Sequence, residues 1–123
     1  MKNQFKRNVF FYREYFMEFF EPLPDHVKEK ITWTLNLIVE LERIPTNYFK
    51  YLTSSSGLYE IRIEYSSNIY RVFSFFDEGN LLVVINGFQK KSNKVPLRKI
   101  ELAEKLKKNY FDEKENGKHD FIR

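Results

Sequence analysis

The spacing of apolar residues predicts two helices in the first third of the chain. Aromatic side chains recur at helical spacing over residues 14–20. From residue 24 to about residue 43, apolar side chains return every three to four positions, which is the strongest helical pattern in the sequence. Pro24 suits the first turn of this second helix and Pro45 closes it. A short aromatic and β-branched stretch, residues 9–12, is predicted to form an edge strand.

The pattern changes to that of β-strands in the middle of the chain. Residues 58–65 alternate between apolar and polar side chains, and a tight turn separates them from a second strand at residues 69–76. The continuous apolar run at residues 81–85 is typical of a central strand buried on both faces. Residues 46–57 show neither helical spacing nor the alternation of a strand, and they are predicted to be irregular.

One further helix is predicted near the end of the chain. Pro96 opens an amphipathic segment that extends to about residue 110, and the polar residues that follow suggest a loose tail. The order of elements predicts an α+β fold in which helices pack on a curved antiparallel sheet. We expect a single domain over residues 1–123, with its core at about 8–110 and the tail at 111–123.

Composition excludes several kinds of site. The chain has no cysteine, so disulfides, thiolate metal sites and cysteine nucleophiles are absent. The two histidines, His26 and His119, do not have the spacing of a metal site, and we predict neither a metal nor a cofactor. No apolar run approaches the roughly 20 residues of a membrane-spanning helix. We therefore expect a cytoplasmic protein with no membrane partner.

Positive charge is concentrated in one part of the sequence. The net charge is +4, and eight basic residues fall between Lys90 and Lys108, where only Glu101 and Glu104 oppose them. Such clustering is typical of a surface that binds a polyanion such as nucleic acid. A solvated helix surface would give the same pattern.

Two arginines lie within the predicted strands. Arg62 follows Glu60 on the polar side of its strand, and Arg71 shares a side with aromatic residues, an unusual place for a charge. Because a short turn makes the two strands neighbours, both guanidinium groups are predicted to converge on a phosphate. Ordinary ion pairs are the alternative for each: Arg62 with Glu60 or Glu64, and Arg71 with a partner at the sheet margin. If Arg71 only contacts phosphate, Arg71→Ala should leave the fold intact.

The segment after the central strand supplies further candidates. Lys90 and Lys91 at a strand end suit contact with phosphates or proton transfer to a leaving oxygen. Phe88 is either a base-stacking residue or a core residue.

Four segments in order resemble the HigB-like toxins of the RelE/ParE superfamily, which include phage-derived members. The segments are Leu58-Tyr59-Glu60-Ile61-Arg62, Tyr70-Arg71-Val72, Asn86-Gly87-Phe88-Gln89-Lys90-Lys91 and Lys94-Val95-Pro96. The resemblance covers about residues 8–110. It implies a RelE-like sandwich, with the sheet packed against N-terminal helices and followed by a C-terminal helix.

The resemblance also implies an activity. Such toxins cleave mRNA without a metal, commonly on the ribosome, and a cognate antitoxin, here expected to be of the helix-turn-helix type, blocks the basic cleft. The resemblance implies that the catalytic residues are Arg62, Arg71, Lys90 and Lys91. It implies that the RNA-binding residues are Lys50, Phe88, Lys94 and Arg98. Asn86 departs from the family pattern, which often has histidine there.

Two other interpretations stay open. The first is a non-enzymatic, ParE-like toxin that binds a protein target such as DNA gyrase. The second is a phage-derived binding module that has lost activity, with Asn86 as the sign of that loss. Retention of Arg62, Arg71 and the Lys90-Lys91 pair favours the endoribonuclease, because a protein-binding relative needs no phosphate site.

Overall fold

The computed structural model describes residues 6–90 and 95–117, which form one five-stranded sheet with helices on both of its faces. In chain order the elements are β1 (Asn8–Phe11), α1 (Tyr15–Phe20), α2 (Asp25–Glu40), β2 (Phe49–Tyr51), β3 (Tyr59–Tyr65), β4 (Asn68–Phe76), β5 (Leu81–Lys90) and α3 (Leu97–Glu115). The predicted α+β class is confirmed. In the described ranges, no helix is both long and apolar enough to cross a membrane.

The sheet is mixed, which corrects the prediction of an antiparallel sheet. Its strand order is β1-β5-β4-β3-β2, and β2 to β5 pair antiparallel with their neighbours. β1 lies at the edge and runs parallel to β5. Hairpin turns impose opposite directions on neighbouring strands, whereas two helices and three strands separate β1 from β5 along the chain. The apolar pattern of β1 carries no information about its direction.

Each face of the sheet has its own apolar cluster. Side chains such as Ile61, Val72 and Val84 pack under α1 and α2. Side chains such as Phe73 and Ile85 pack under α3. Because both faces are covered, the central strands are nearly continuous runs of buried residues.

Two strands differ from their predicted extents. β2 falls inside the segment predicted to be irregular, since three residues are too few to show an alternating pattern. β5 continues through Asn86 and Gly87 to Lys90 instead of ending at Ile85. Val72 pairs with Gly87 and Ser74 with Val84, so two residues of β5 oppose one of β4 and form a β-bulge.

Helix α3 ends at Glu115, so its last turn replaces the first residues of the predicted loose tail. A polar cluster holds this end. Tyr110 donates a hydrogen bond to Asp77 Oδ2 at 2.7 Å, and the Lys114 ammonium lies 2.8 Å from the same oxygen. Tyr12 donates to Glu113 Oε1 at 3.0 Å. These partners lie directly after β4 and next to β1, so the sequence near the helix gives no indication of them.

Gly87 allows α1 to pack against the backbone of β5. A Cβ atom at this position would lie 2.8 Å from the ring of Phe19. We expect Gly87→Ala to lower the free energy of unfolding by about 1–3 kcal/mol, the usual cost of overpacking. Urea denaturation measures the change. Phe19→Ala should remove the clash, so the double variant should lose less than the sum of the two single losses. Additive losses would contradict this packing.

Asp77 makes stability depend on pH in the acid range. Burial opposes ionisation, but the hydrogen bonds from Lys114 and Tyr110 outweigh it and lower the pKa of Asp77. A carboxyl whose pKa is lower in the folded state stabilises the fold above its unfolded pKa and loses this contribution as pH falls through the folded value. Between about pH 5 and pH 2, Asp77→Asn should therefore lose less stability than the wild type, measured by urea denaturation. Equal losses of stability in the wild type and in Asp77→Asn would exclude a role of Asp77 in the pH dependence.

Candidate functional site

Arg62 and Arg71 lie directly opposite each other on neighbouring strands. They are register partners in the β3–β4 pair, so their side chains project from the same face of the sheet. That face is the one that α3 partly covers, because Arg71 is also the partner of Phe88, which packs in the α3 cluster. The predicted neighbourhood of the two arginines is confirmed.

Arg71 is almost fully buried and forms an ion pair with Glu60. Arg71 is 5% exposed and Glu60 1% exposed, and Arg71 Nη1 donates to Glu60 Oε2. Burial lowers the pKa of Arg71. The Glu60 carboxylate compensates its charge. The premise that Arg71 contacts only phosphate is therefore wrong, and Arg71→Ala would leave the Glu60 carboxylate buried without this partner.

Arg62 is the accessible member of the pair. Its side chain is 30% exposed, and its Nη1 lies 3.8 Å from Glu64 Oε1, a carboxylate that is itself largely in solvent. An ion pair of this length and exposure is weak, so Arg62 keeps most of its capacity to bind another anion.

The two arginines line an open cleft of about 330 Å³ between β2, β3 and β4, here called the arginine cleft. Its lining residues are Thr46, Asn47, Lys50, Glu60, Arg62 and Arg71. Lys50 is the register partner of Glu60, which places it on the same face. Three cationic side chains against one carboxylate leave an excess of two positive charges. Like charges placed opposite each other cost stability, and a bound phosphate would relieve that cost.

The other candidate residues lie in different surroundings. Phe88 is 8% exposed and its ring centroid lies 5.6 Å from that of Phe73, so of the two interpretations its burial favours the core residue. Arg98 is exposed on α3 and is not among the residues that line the arginine cleft. Lys90 is the last residue of β5, opposite Ile69 in the register. Lys91 and Lys94 lie outside the described residues.

Sequence reasoning did not identify Glu60 as part of the site. It treated Glu60 as a possible partner of Arg62, its neighbour on the same strand, whereas the ion pair joins Glu60 to Arg71 on β4. The pairing depends on cross-strand register, which the sequence alone does not give. Thr46 and Asn47 were also missed, because they lie in the segment predicted to be irregular.

Asn86, the departure from the family pattern, lies in the bulge of β5. It is buried, and among the described residues its Oδ1 has no hydrogen-bond partner. His26 lies against Tyr65, with the ring centroids 4.7 Å apart, and it is not among the residues that line the arginine cleft. His119 lies outside the described ranges. Over those ranges there is no group of three or more acidic or histidine side chains that could hold a metal ion.

The two arginines should differ sharply in their contribution to stability. Arg71→Ala breaks a buried ion pair, so we expect it to lower the free energy of unfolding by about 3–5 kcal/mol. Arg62→Ala removes only an exposed pair and should cost under about 1 kcal/mol. Replacing both buried partners, as Arg71→Met with Glu60→Leu, should recover most of the loss. Equal stability of Arg71→Ala and Arg62→Ala in urea denaturation would contradict this assignment.

Comparison with known protein families gives a match over most of the chain. A family model described as "Phage derived protein Gp49-like (DUF891)" matches residues 18–108. No curated protein matches the chain. The matched segment contains Lys50, Arg62 and Arg71, and with them the whole arginine cleft. Because it extends over well more than half of the 123 residues, the chain belongs to the family of phage-derived Gp49-like proteins.

Proposed function

We propose that this protein is the toxin of a type II toxin–antitoxin system and cleaves mRNA without a metal ion. The observation that carries the proposal is the pair of arginines, Arg62 and Arg71, placed opposite each other in a cleft that also contains Lys50. The chain belongs to the Gp49-like family, whose RelE-like, toxin-like character supports the proposal. So does the resemblance of the four sequence segments to HigB-like toxins.

The chemistry suits such a cleft because charge develops on the phosphate during cleavage. The 2′-oxygen forms a bond to phosphorus, the bond to the 5′-oxygen breaks, the 2′-hydroxyl proton passes to a base and the 5′-oxygen gains a proton. Arg62 presents N–H donors whose fork geometry matches two phosphate oxygens. Donors directed at the oxygens where negative charge develops stabilise the transition state more than the bound substrate.

Arg71 has a different part in this proposal. Its ion pair with Glu60 fixes the guanidinium against the floor of the cleft, where its charge strengthens binding of the phosphate beside Arg62. Lys90 and Lys91 keep the roles in RNA binding or proton transfer that the resemblance implies. The mRNA would be ribosome-bound, and a helix-turn-helix antitoxin would cover the cleft and neutralise its excess charge.

The activity can be measured after cell-free synthesis, by mapping new ends in a translated mRNA. We expect the wild type to cleave and Arg62→Ala to cleave about 100-fold more slowly or worse, as for loss of one transition-state donor. Arg43→Ala is the matched control, since Arg43 is exposed and is not among the residues lining the arginine cleft. It should cleave at the wild-type rate.

Two outcomes would count against the proposal. Cleavage by Arg62→Ala at the wild-type rate would show that the arginine cleft is not the site. Growth arrest in bacteria without new RNA ends would exclude the nuclease and point to the ParE-like alternative, a toxin that binds a protein target.

A further inference from the structure

A second, larger cleft lies beside the arginine cleft, between β2 and the start of α3. It has a volume of about 830 Å³, and we call it the helix cleft. Its lining residues are Lys50, Tyr51, Leu52, Thr53, Ser54, Glu60, Arg71, Val95, Pro96, Leu97 and Ile100. This volume lies within the range typical of sites that hold small molecules, roughly 300–1,000 Å³.

The two clefts are continuous. Lys50, Glu60 and Arg71 line both of them, so the cations of the arginine cleft form one end of the helix cleft. The other end is apolar, with Val95, Pro96 and Leu97 from the start of α3. Leu97 is 65% exposed, so its apolar side chain is accessible to a ligand in the cleft. The hydroxyl residues Thr53 and Ser54 line the opposite wall.

This wall is tied to α3, so the cleft is formed before any ligand arrives. The backbone N–H and the hydroxyl of Ser56 donate to the Glu104 carboxylate at 2.7 and 3.1 Å, and Lys107 donates to the carbonyl of Ser56. Glu104 and Lys107 both lie on α3. The loop before β3 and helix α3 are therefore held at a fixed separation. Ligand binding then costs little conformational entropy of the protein.

We propose that the helix cleft binds the nucleoside part of a nucleotide whose phosphate lies in the arginine cleft. A ligand that fills both clefts must carry an anion at one end and, at the other, a body with apolar faces and polar edges. A nucleotide has this arrangement, because its base offers apolar faces to Leu97 and Pro96 and polar edges to the hydroxyls of Thr53 and Ser54. The inference rests on the proposed function, since it takes the phosphate site from it.

NMR titrations of the labelled protein with inorganic phosphate and with each nucleoside 5′-monophosphate test the proposal. We expect a nucleotide to bind about tenfold more tightly than phosphate, as base contacts add to the phosphate contact. Leu97→Ala should weaken nucleotide binding ~3- to 10-fold by removing apolar contact, and leave phosphate binding unchanged. Leu102→Ala is the matched control, a leucine of the same helix that is 44% exposed and is not among the residues lining the cleft.

A second variant fills the cleft instead of trimming it. Ser54 is exposed, so Ser54→Trp needs no repacking of the core. It should abolish the preference for nucleotide over phosphate while phosphate still binds.

The outcomes separate this inference from the proposed function. If Arg62→Ala loses phosphate binding but the wild type binds no nucleotide more tightly than phosphate, the helix cleft does not bind a nucleoside. The arginine cleft would then still be a phosphate site. Equal effects of Leu97→Ala and Leu102→Ala would also overturn the helix cleft. A wild type that binds neither ligand would overturn both proposals. Tight nucleotide binding without RNA cleavage would support the helix cleft and contradict only the nuclease.

Discussion

The buried ion pair between Glu60 and Arg71 is the interaction on which the site depends. Two charges so deep in a sheet are tolerated only when each compensates the other, so the pair ties β3 to β4 in one register. A slip of one residue between β3 and β4 would turn the charged side chain of the slipped strand into the apolar cluster under α1 and α2, and the pair would be lost. The register that satisfies this pair also places Arg62 opposite Arg71.

The unequal cover of the two faces then creates the clefts. Helices α1 and α2 cover one face, and close contact between Phe19 and Gly87 brings α1 directly onto β5. On the other face α3 packs over Phe73, Phe75 and Ile85 and leaves the region around Arg62 open. The polar cluster of Asp77, Tyr110 and Lys114 fixes the far end of α3. Its first turn is thereby held beside the sheet, where it becomes the apolar wall of the helix cleft.

The two arginines look equivalent in the sequence, but their different burial gives them different roles. Arg71 is enclosed and structural as well as cationic, while Arg62 reaches solvent with only a weak partner. A site built this way has one cation whose position is fixed by packing and one that is free to contact a ligand. Because Glu60 compensates the charge of Arg71, a small sheet can hold the two arginines side by side.

Local sequence determined the helices, the three long strands and the proximity of Arg62 to Arg71, because helical and strand periods and short turns are properties of neighbouring residues. It also identified Arg62 and Arg71 as candidates, the resemblance to HigB-like toxins added Lys50, and all three line one cleft. Only the tertiary structure decided the parallel direction of β1, the bulge at Asn86, the partner of Glu60 and the last turn of α3. Each of these depends on contacts between residues far apart in the chain, and no local pattern records which distant strand or helix will supply the partner.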